Sequence, residues 1–206
     1  MLDTHGRKYA DMVINPGARL FARLRWKPTH VTILALIVGE AAAASFFLKL
    51  PAVVPILLLW ISGYFDTVDG ALARLTRQTS PVGTLLDIFF DRIVELSFIL
   101  GFALRCPESV FAQLLSVSAI LLSMTVFLTS GALLENNGIK SFRYQTGLME
   151  RTEGFLFFTV QIVFWRYMKV LSFIYGGLIL FTALQRLVIT IRELNTKAGK
   201  ENEKDK

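Results

Sequence analysis

Long apolar runs dominate the chain and determine its predicted architecture. Six of them lie at about residues 31–50, 52–75, 84–104, 109–134, 150–166 and 168–191. Most approach the ~20 residues that an α-helix needs to cross a bilayer, although the fifth is short. The pattern therefore predicts an all-α integral membrane protein with six transmembrane helices.

The composition also favours a membrane protein over a soluble one. Of the 206 residues, 53% are hydrophobic and 18% are charged, and the mean hydropathy is +0.52. Soluble domains carry about 25% charged residues. The first residues, MLDTHGRKYADM, lack the basic start and apolar core of a signal peptide, so we expect the N-terminus to be retained.

The positive charges predict the orientation of the helices. A net charge of +6 would by itself also fit a nucleic-acid-binding protein. With both termini in the cytoplasm, however, 17 of the 22 Lys and Arg residues fall on the cytoplasmic side, in agreement with the positive-inside rule. We therefore expect a multi-pass protein of the cytoplasmic membrane, with membrane lipids and no nucleic acid as partners.

The segments that flank the apolar runs are basic or highly charged. In NPGARLFARLRWKP, Leu20, Phe21 and Leu24 are interspersed with arginines at helical spacing, which predicts an amphipathic helix on an anionic membrane surface. An ordinary basic flank is the alternative. The expected parts are a cytoplasmic or interfacial segment over 1–29, a six-helix transmembrane domain over 30–192 and a charged cytoplasmic tail over 193–206.

Other charged residues inside the apolar runs are expected to be structural. Glu40 lies in VGEAAAAS, where the small residues would let a neighbouring helix approach closely. Acids in hydrocarbon are costly and face a bundle interior, so we expect Glu40 to be hydrogen-bonded at a helix contact. Arg92 and Glu95 are three residues apart on a predicted helix and are expected to neutralise each other.

Four aspartates occur among apolar residues in the second and third runs. Asp66 and Asp69 are three residues apart, and Asp87 and Asp91 are four apart, so each pair projects from one face of a helix. A polar connection that contains Pro81 turns the chain between them. We expect the two pairs to converge near the cytoplasmic face of the membrane.

Four clustered carboxylates require compensating positive charge, because ionised groups in a low dielectric are heavily penalised. Oxygen ligands without a nearby histidine or cysteine favour Mg²⁺ or Mn²⁺, and four carboxylates can hold two ions, as in enzymes of phosphoryl transfer. Gly70 and Gly83 allow close backbone approach, and Arg74 offers a forked donor to phosphate oxygens. The alternatives are buried acids that serve helix packing or a cation pathway.

The order of these residues resembles the signature of the CDP-alcohol phosphotransferase (CDP-alcohol phosphatidyltransferase) family. It reads Asp66-Thr-Val-Asp69-Gly70-Ala-Leu-Ala73-Arg74, then eight residues, Gly83, three residues, Asp87, three residues and Asp91, over 26 residues without a gap. A lone pair of acids would carry little weight. The fixed spacing of four acids, two glycines, an alanine and an arginine is specific.

The resemblance implies a transferase that moves a phosphatidyl group from CDP-diacylglycerol, or a related phosphoalcohol from its CDP ester, to a hydroxyl group and releases CMP. It implies two metal ions, Mg²⁺ or Mn²⁺, at a metal site of Asp66, Asp69, Asp87 and Asp91, with the first three as ligands. Asp91 would lie beside the metals and act as the base that takes the hydroxyl proton. CDP and its pyrophosphate would be bound by Gly70, Ala73, Arg74 and Gly83. Homodimers are common in the family.

The acceptor alcohol stays open at this point. Members of the resembled family that use a phosphorylated acceptor gather basic residues late in the chain, and Arg151 and Arg186 resemble two of those positions. Lys140 and Arg143 either complete such a phosphate site or contact lipid head groups. The candidate acceptors are glycerol 3-phosphate, inositol, inositol phosphate and serine.

Two other protein classes are alternatives. A membrane prenyltransferase also uses acidic segments and Mg²⁺ to hold a diphosphate, but we would expect more helices and two separated acidic motifs. A small cation transporter could use the acids along its path. It would have no need of Gly70, Arg74 and Gly83 at these spacings.

Overall fold

The computed structural model describes residues 2–135, 148–149 and 151–204, and the regular elements within these ranges are all helical. The long helices are α1 Leu2–Arg23, α2 Pro28–Phe47, α3 Val53–Leu75, α4 Pro81–Arg105, α5 Val110–Glu135, α6 Arg151–Val163 and α7 Met168–Lys204. Short 3₁₀ turns, Pro107–Ser109 and Trp165–Tyr167, precede α5 and α7. The predicted all-α fold is confirmed.

Among the described residues, four helical segments are long and apolar enough to cross a membrane. They are Pro28–Phe47, Val53–Leu75, Pro107–Leu133 and Trp165–Thr196. The chain is therefore a multi-pass membrane protein by the length and composition of its helices. Four charged residues interrupt α4, and α6 has 13 residues, or about 20 Å, which is shorter than a bilayer core. The count of six spans stays a prediction.

Small residues let α2 pack closely against α3 and α4. A Cβ added at Gly39 would meet the side chains of Ser62 and Val94 at under 3 Å, so the three helices approach at this point with no room for a larger residue. One turn away, Ser97 donates a hydrogen bond of 2.9 Å to Glu40. The expectation that Glu40 is hydrogen-bonded at a helix contact is confirmed.

An aromatic cluster joins α4 to α6 and α7. Phe98 of α4 stacks on Phe158 of α6 with ring centroids 5.3 Å apart, and Phe158 contacts Tyr175 of α7 at 5.3 Å. All three side chains are almost completely buried. Because aromatic pairs of this size contribute both buried area and geometric preference, the cluster fixes the face that α4 turns toward the interior.

Helix α1 packs against the end of α3 that carries two of the aspartates. Ala18 is buried in a small cluster with Val68 and Leu72, and the hydroxyl of Tyr64 donates to the carbonyl of Val13 at 3.3 Å. Leu20 remains more than half exposed. Helix α1 ends at Arg23 and so covers only part of the predicted segment, and its amphipathic character and its position at a membrane interface stay predictions.

Candidate functional site

The last turns of α3 carry the first aspartate pair on its inner face. Asp66 and Asp69 are 8% and 6% exposed. Val68 and Leu72, on a neighbouring strip of the same helix, are completely buried against α1 and α2. This packing holds α3 in one rotation, so the two carboxylates are directed inward together.

The second pair is positioned by the start of α4. Ser80 caps this helix, because its hydroxyl accepts a hydrogen bond of 3.0 Å from the backbone N–H of Gly83. Pro81 occupies the first turn, where its fixed φ favours a helix. The cap starts α4 soon after α3 ends, so Asp87 and Asp91 are directed back toward the first pair.

The two pairs converge as the sequence predicted. Asp66, Asp69 and Asp87 each offer a carboxylate oxygen within 4.8 Å of the others. Arg151, the first residue of α6, connects this group to Asp91. One of its guanidinium nitrogens pairs with Asp66, and the other pairs with Asp91 at 2.6 Å. The site therefore draws one residue or more from each of α3, α4 and α6.

The donor set fits a hard divalent cation. Asp69 has a buried carboxylate oxygen that meets no hydrogen-bond partner among the described residues. Leaving such an oxygen unpaired in the interior is costly. Three carboxylates at this separation, with oxygen as their only donor atom, match the ligand preference of Mg²⁺ or Mn²⁺.

A cavity of about 280 Å³ opens beside the carboxylates. This volume suits a small ligand or part of a larger one. Its polar lining includes Thr32, Ser62, Asp66, Asp87, Asp91, Arg92, Glu95, Ser123, Arg151, Tyr175 and Arg186. Three of the four predicted acids and both predicted acceptor-binding arginines therefore meet around one space.

The remaining predicted site residues do not line this cavity. Asp69, Gly70, Ala73, Arg74 and Gly83 are not part of its described lining. A Cβ added at Gly70 would meet only the tip of Arg74, at 3.4 Å, so the backbone next to Asp69 has open space in front of it.

Arg186 enters the cavity from α7 in a largely buried position. It is 7% exposed, donates to the hydroxyl of Ser123 at 3.4 Å and lies over the ring of Phe127 at 5.5 Å. A buried guanidinium of this kind favours an anionic ligand group. Lys140 and Arg143 lie outside the described residues.

Sequence reasoning missed the hydrogen-bond network on the α4 side of the cavity. The predicted pair of Arg92 with Glu95 is confirmed, and Tyr175 of α7 additionally donates to Glu95 at 2.9 Å. The ion pairs of Arg151 with Asp66 and Asp91 were also missed. These partners are 60 to 85 residues apart in the chain, and no short-range pattern marks them. The signal that could have indicated the Arg151 pairs is electrostatic, because four clustered acids need a cation nearby.

The helices are apolar and long enough to cross a membrane, and clustered carboxylates lie beside a cavity that suits a small ligand. These features define an integral membrane protein with an interior acidic site for a cation. The sequence profile described as CDP-alcohol phosphatidyltransferase matches residues 25–191. The chain belongs to this family, and the resemblance noted in the sequence is confirmed.

Several proteins that are similar to this chain carry functional names, and some have solved structures. The archaetidylinositol phosphate synthase of Pyrococcus horikoshii is 33% identical over 86 residues, which cover 42% of this chain and 45% of that protein. The chain spans about half the length of the curated relatives it matches, 45% and 46% for two of them.

Among solved structures, the phosphatidylinositol phosphate synthase of Mycobacterium tuberculosis with CDP-DAG bound has a TM-score of 0.69 and 25% identity. The match covers 87% of this chain and 94% of that one. The same protein in complex with manganese and citrate has a TM-score of 0.67 and 25% identity, and the match covers 86% and 88%. Together with the carboxylate cluster, the manganese complex suggests that this chain also binds metal.

Proposed function

We propose that the protein transfers a phosphatidyl-type group from a CDP-linked lipid, such as CDP-diacylglycerol, to a hydroxyl of an inositol phosphate and releases CMP. The convergence of the four aspartates of the family signature, three of which line one cavity, carries this proposal. The names of the relatives support the choice of acceptor. A membrane prenyltransferase and a cation transporter are not favoured, because residues 25–191 match one transferase family.

Two divalent ions, Mg²⁺ or Mn²⁺, would be held by Asp66, Asp69 and Asp87, with Asp91 beside them. When bound, such ions neutralise a pyrophosphate and stabilise the charge of a departing phosphate group. The unpartnered carboxylate oxygen of Asp69 supports its assignment as a ligand. The ion pairs of Asp91 and Asp66 with one guanidinium indicate that the fourth acid lies close to the other three.

Asp91 would take the proton from the acceptor hydroxyl. The acceptor oxygen then forms a bond to the phosphorus that carries the lipid, the bond from that phosphorus to the bridging oxygen breaks, and CMP leaves with the electron pair. The lining of the cavity by Asp91 supports this role, because a base must reach the proton that it removes. The acceptor would therefore occupy the cavity.

The nucleotide and pyrophosphate would bind on the other side of the carboxylates, at Gly70, Ala73, Arg74 and Gly83. The open space in front of Gly70 supports this assignment, since a phosphate can approach a backbone that lacks a Cβ. Arg74 is exposed on the same helix. Its forked donors suit phosphate oxygens.

The acceptor phosphate would be bound by Arg186, with Arg151 as a second candidate. The burial of Arg186 supports an anionic acceptor over uncharged inositol, because a guanidinium binds phosphate or carboxylate oxygens through charge-assisted, two-pronged hydrogen bonds. Glycerol 3-phosphate carries the same anionic group. Inositol phosphate is preferred on the names of the relatives.

The direct test measures CMP release. Purified protein in detergent is incubated with CDP-diacylglycerol, Mg²⁺ or Mn²⁺ and, separately, inositol phosphate, glycerol 3-phosphate, inositol and serine. We expect release with inositol phosphate only. Release with another alcohol would replace the acceptor, and no release with any alcohol in a folded sample would contradict the proposed reaction.

Replacing Arg186 with Gln is expected to raise the KM for inositol phosphate by about tenfold or more, because one charge-assisted contact to the phosphate is lost. The KM for the CDP-linked lipid should change little. Steady-state kinetics with each substrate varied in turn measure both values. Arg166→Gln, an exposed arginine at the opposite end of the bundle, is the matched control. Equal rises in both KM values would point to a distorted site.

We further propose six membrane spans, α2 to α7, with α1 at the interface and the site facing the cytoplasm. The basic segments at both termini support this orientation. A homodimer is proposed from the family alone. The division into segments 1–29, 30–192 and 193–206 is likewise a proposal.

A further inference from the structure

Arg151 pairs with one carboxylate of the proposed metal site and with a second one beside it. Its guanidinium pairs with Asp66 of α3 through one nitrogen and with Asp91 of α4 through the other. Asp66 also belongs to the group whose ligand oxygens lie within 4.8 Å of one another. Arg151 and a metal ion therefore share the carboxylate of Asp66.

Other nearby arginines do not share this position. Arg92, next to Asp91 in the chain, pairs with Glu95 on its own helix. Arg74 is exposed on α3 and has no ion pair with an aspartate in the described part of the chain. Among the described side chains, Arg151 is thus the cation that pairs with the aspartate cluster.

The fold places Arg151 where its guanidinium reaches both Asp66 and Asp91. The residue begins α6, its guanidinium lies 5.6 Å from the ring centroid of Phe155, and its side chain is about a quarter exposed. A planar guanidinium can bridge two carboxylates with separate nitrogens, so one charge stabilises two acids on two helices. An ion that enters at Asp66 would compete with the first of these bonds.

We propose that Arg151 competes with the divalent metals for the aspartate cluster, and so lowers the metal affinity of the site. In a two-state equilibrium, a ligand binds with an apparent affinity reduced by the fraction of molecules that are competent to bind it. Metal binding and pairing of Arg151 then exclude each other. Entry of the metal frees a guanidinium beside Asp91 for an anionic ligand group.

This inference extends the proposed function and rests on the metal site proposed for it. A freed Arg151 can contact a phosphorylated acceptor only after the metal is bound. By linkage, the metal and such an acceptor would each strengthen the binding of the other. Arg151 would thereby make metal loading a condition for binding the acceptor.

The experiment titrates metal-stripped protein in detergent with Mn²⁺ and follows free Mn²⁺ by electron paramagnetic resonance. If Arg151 holds the cluster in about nine of ten molecules, Arg151→Gln lowers the apparent Kd for Mn²⁺ by roughly tenfold. Arg74→Gln removes the same charge from the open side of the site and is the matched control. It should change the Kd by much less than Arg151→Gln.

The direction of the change in the Kd for Mn²⁺ distinguishes competition between Arg151 and the metal from a purely structural role of Arg151. If Arg151 only orients Asp66 and Asp91 for the metal, its removal weakens Mn²⁺ binding, which would overturn the inference, as would an unchanged Kd. If neither the wild-type protein nor Arg151→Gln binds Mn²⁺, the metal site of the proposed function fails as well. Tighter binding supports the inference whether or not the transferase assay succeeds.

Thermal unfolding provides a second readout. Without metal, Arg151→Gln should unfold at a lower temperature than the wild type, because the aspartates lose their cation. Saturating Mn²⁺ should then raise its unfolding temperature by more than it raises that of the wild type. Equal metal-induced shifts would contradict the inference. Arg151→Lys keeps the charge but loses the two-pronged bridge, and it serves in the same comparison if Arg151→Gln does not fold.

Discussion

Replacing Asp91 with Asn is expected to reduce the rate of CMP release by roughly 10²- to 10⁴-fold, the range that a positioned general base contributes. Asn has nearly the same shape as Asp but cannot take the proton of the acceptor hydroxyl. Asp91 lines the cavity proposed for the acceptor, so the loss should appear mainly in kcat. Initial rates with saturating CDP-diacylglycerol and inositol phosphate measure it.

Two comparisons make this prediction specific. Glu40→Gln neutralises another acid of the bundle, one bonded to Ser97 at the α2–α4 contact, and should keep most of the activity. Asp91→Asn should also retain binding of the CDP-linked lipid better than Asp66→Asn does, because Asp66 belongs to the proposed metal ligands. Full activity in Asp91→Asn would exclude Asp91 as the base.

Local spacing predicted much of the site. On α-helices, acids three or four residues apart must share a face, and a polar turn between the two helices returns the second pair toward the first. The structure has both features, and Asp66, Asp69 and Asp87 converge as expected. Glu40 was predictable for a related reason, since a costly acid among alanines requires a partner on a closely packed neighbour.

Contacts over long sequence distances could not be predicted in this way. The pairing of Arg151 with Asp66 and Asp91, and of Tyr175 with Glu95, depends on how α6 and α7 pack against α4. The hydropathy pattern predicts six apolar runs, but the four charged residues within α4 weaken its apolar signal. The acids proposed for the site lie in the same helix that is expected to cross the membrane, and a hydropathy pattern alone cannot show whether such a helix spans it.

Replacing Asp69 with Asn is expected to weaken Mn²⁺ binding by roughly a hundredfold or more, since even residues that only orient metal ligands contribute about 10- to 100-fold. One carboxylate oxygen of Asp69 is buried and meets no hydrogen-bond partner among the described residues. A bound cation would coordinate this oxygen and so offset the cost of burying it. CMP release should fall by roughly 10³-fold or more, because several kcal/mol of transition-state stabilisation depend on the metal.

The comparison with Asp66→Asn separates loss of a ligand from loss of a helix contact. Asp66 is paired with Arg151, so Asp66→Asn removes a proposed ligand and also weakens the link between α3 and α6. Asp69→Asn leaves both ion pairs of Arg151 in place, so the metal-free variant should unfold at a temperature close to that of the metal-free wild type. A titration with Mn²⁺ and thermal unfolding with and without the metal measure the two effects. Unchanged Mn²⁺ affinity in Asp69→Asn would contradict its assignment as a ligand, and would leave its buried oxygen to be explained by another partner.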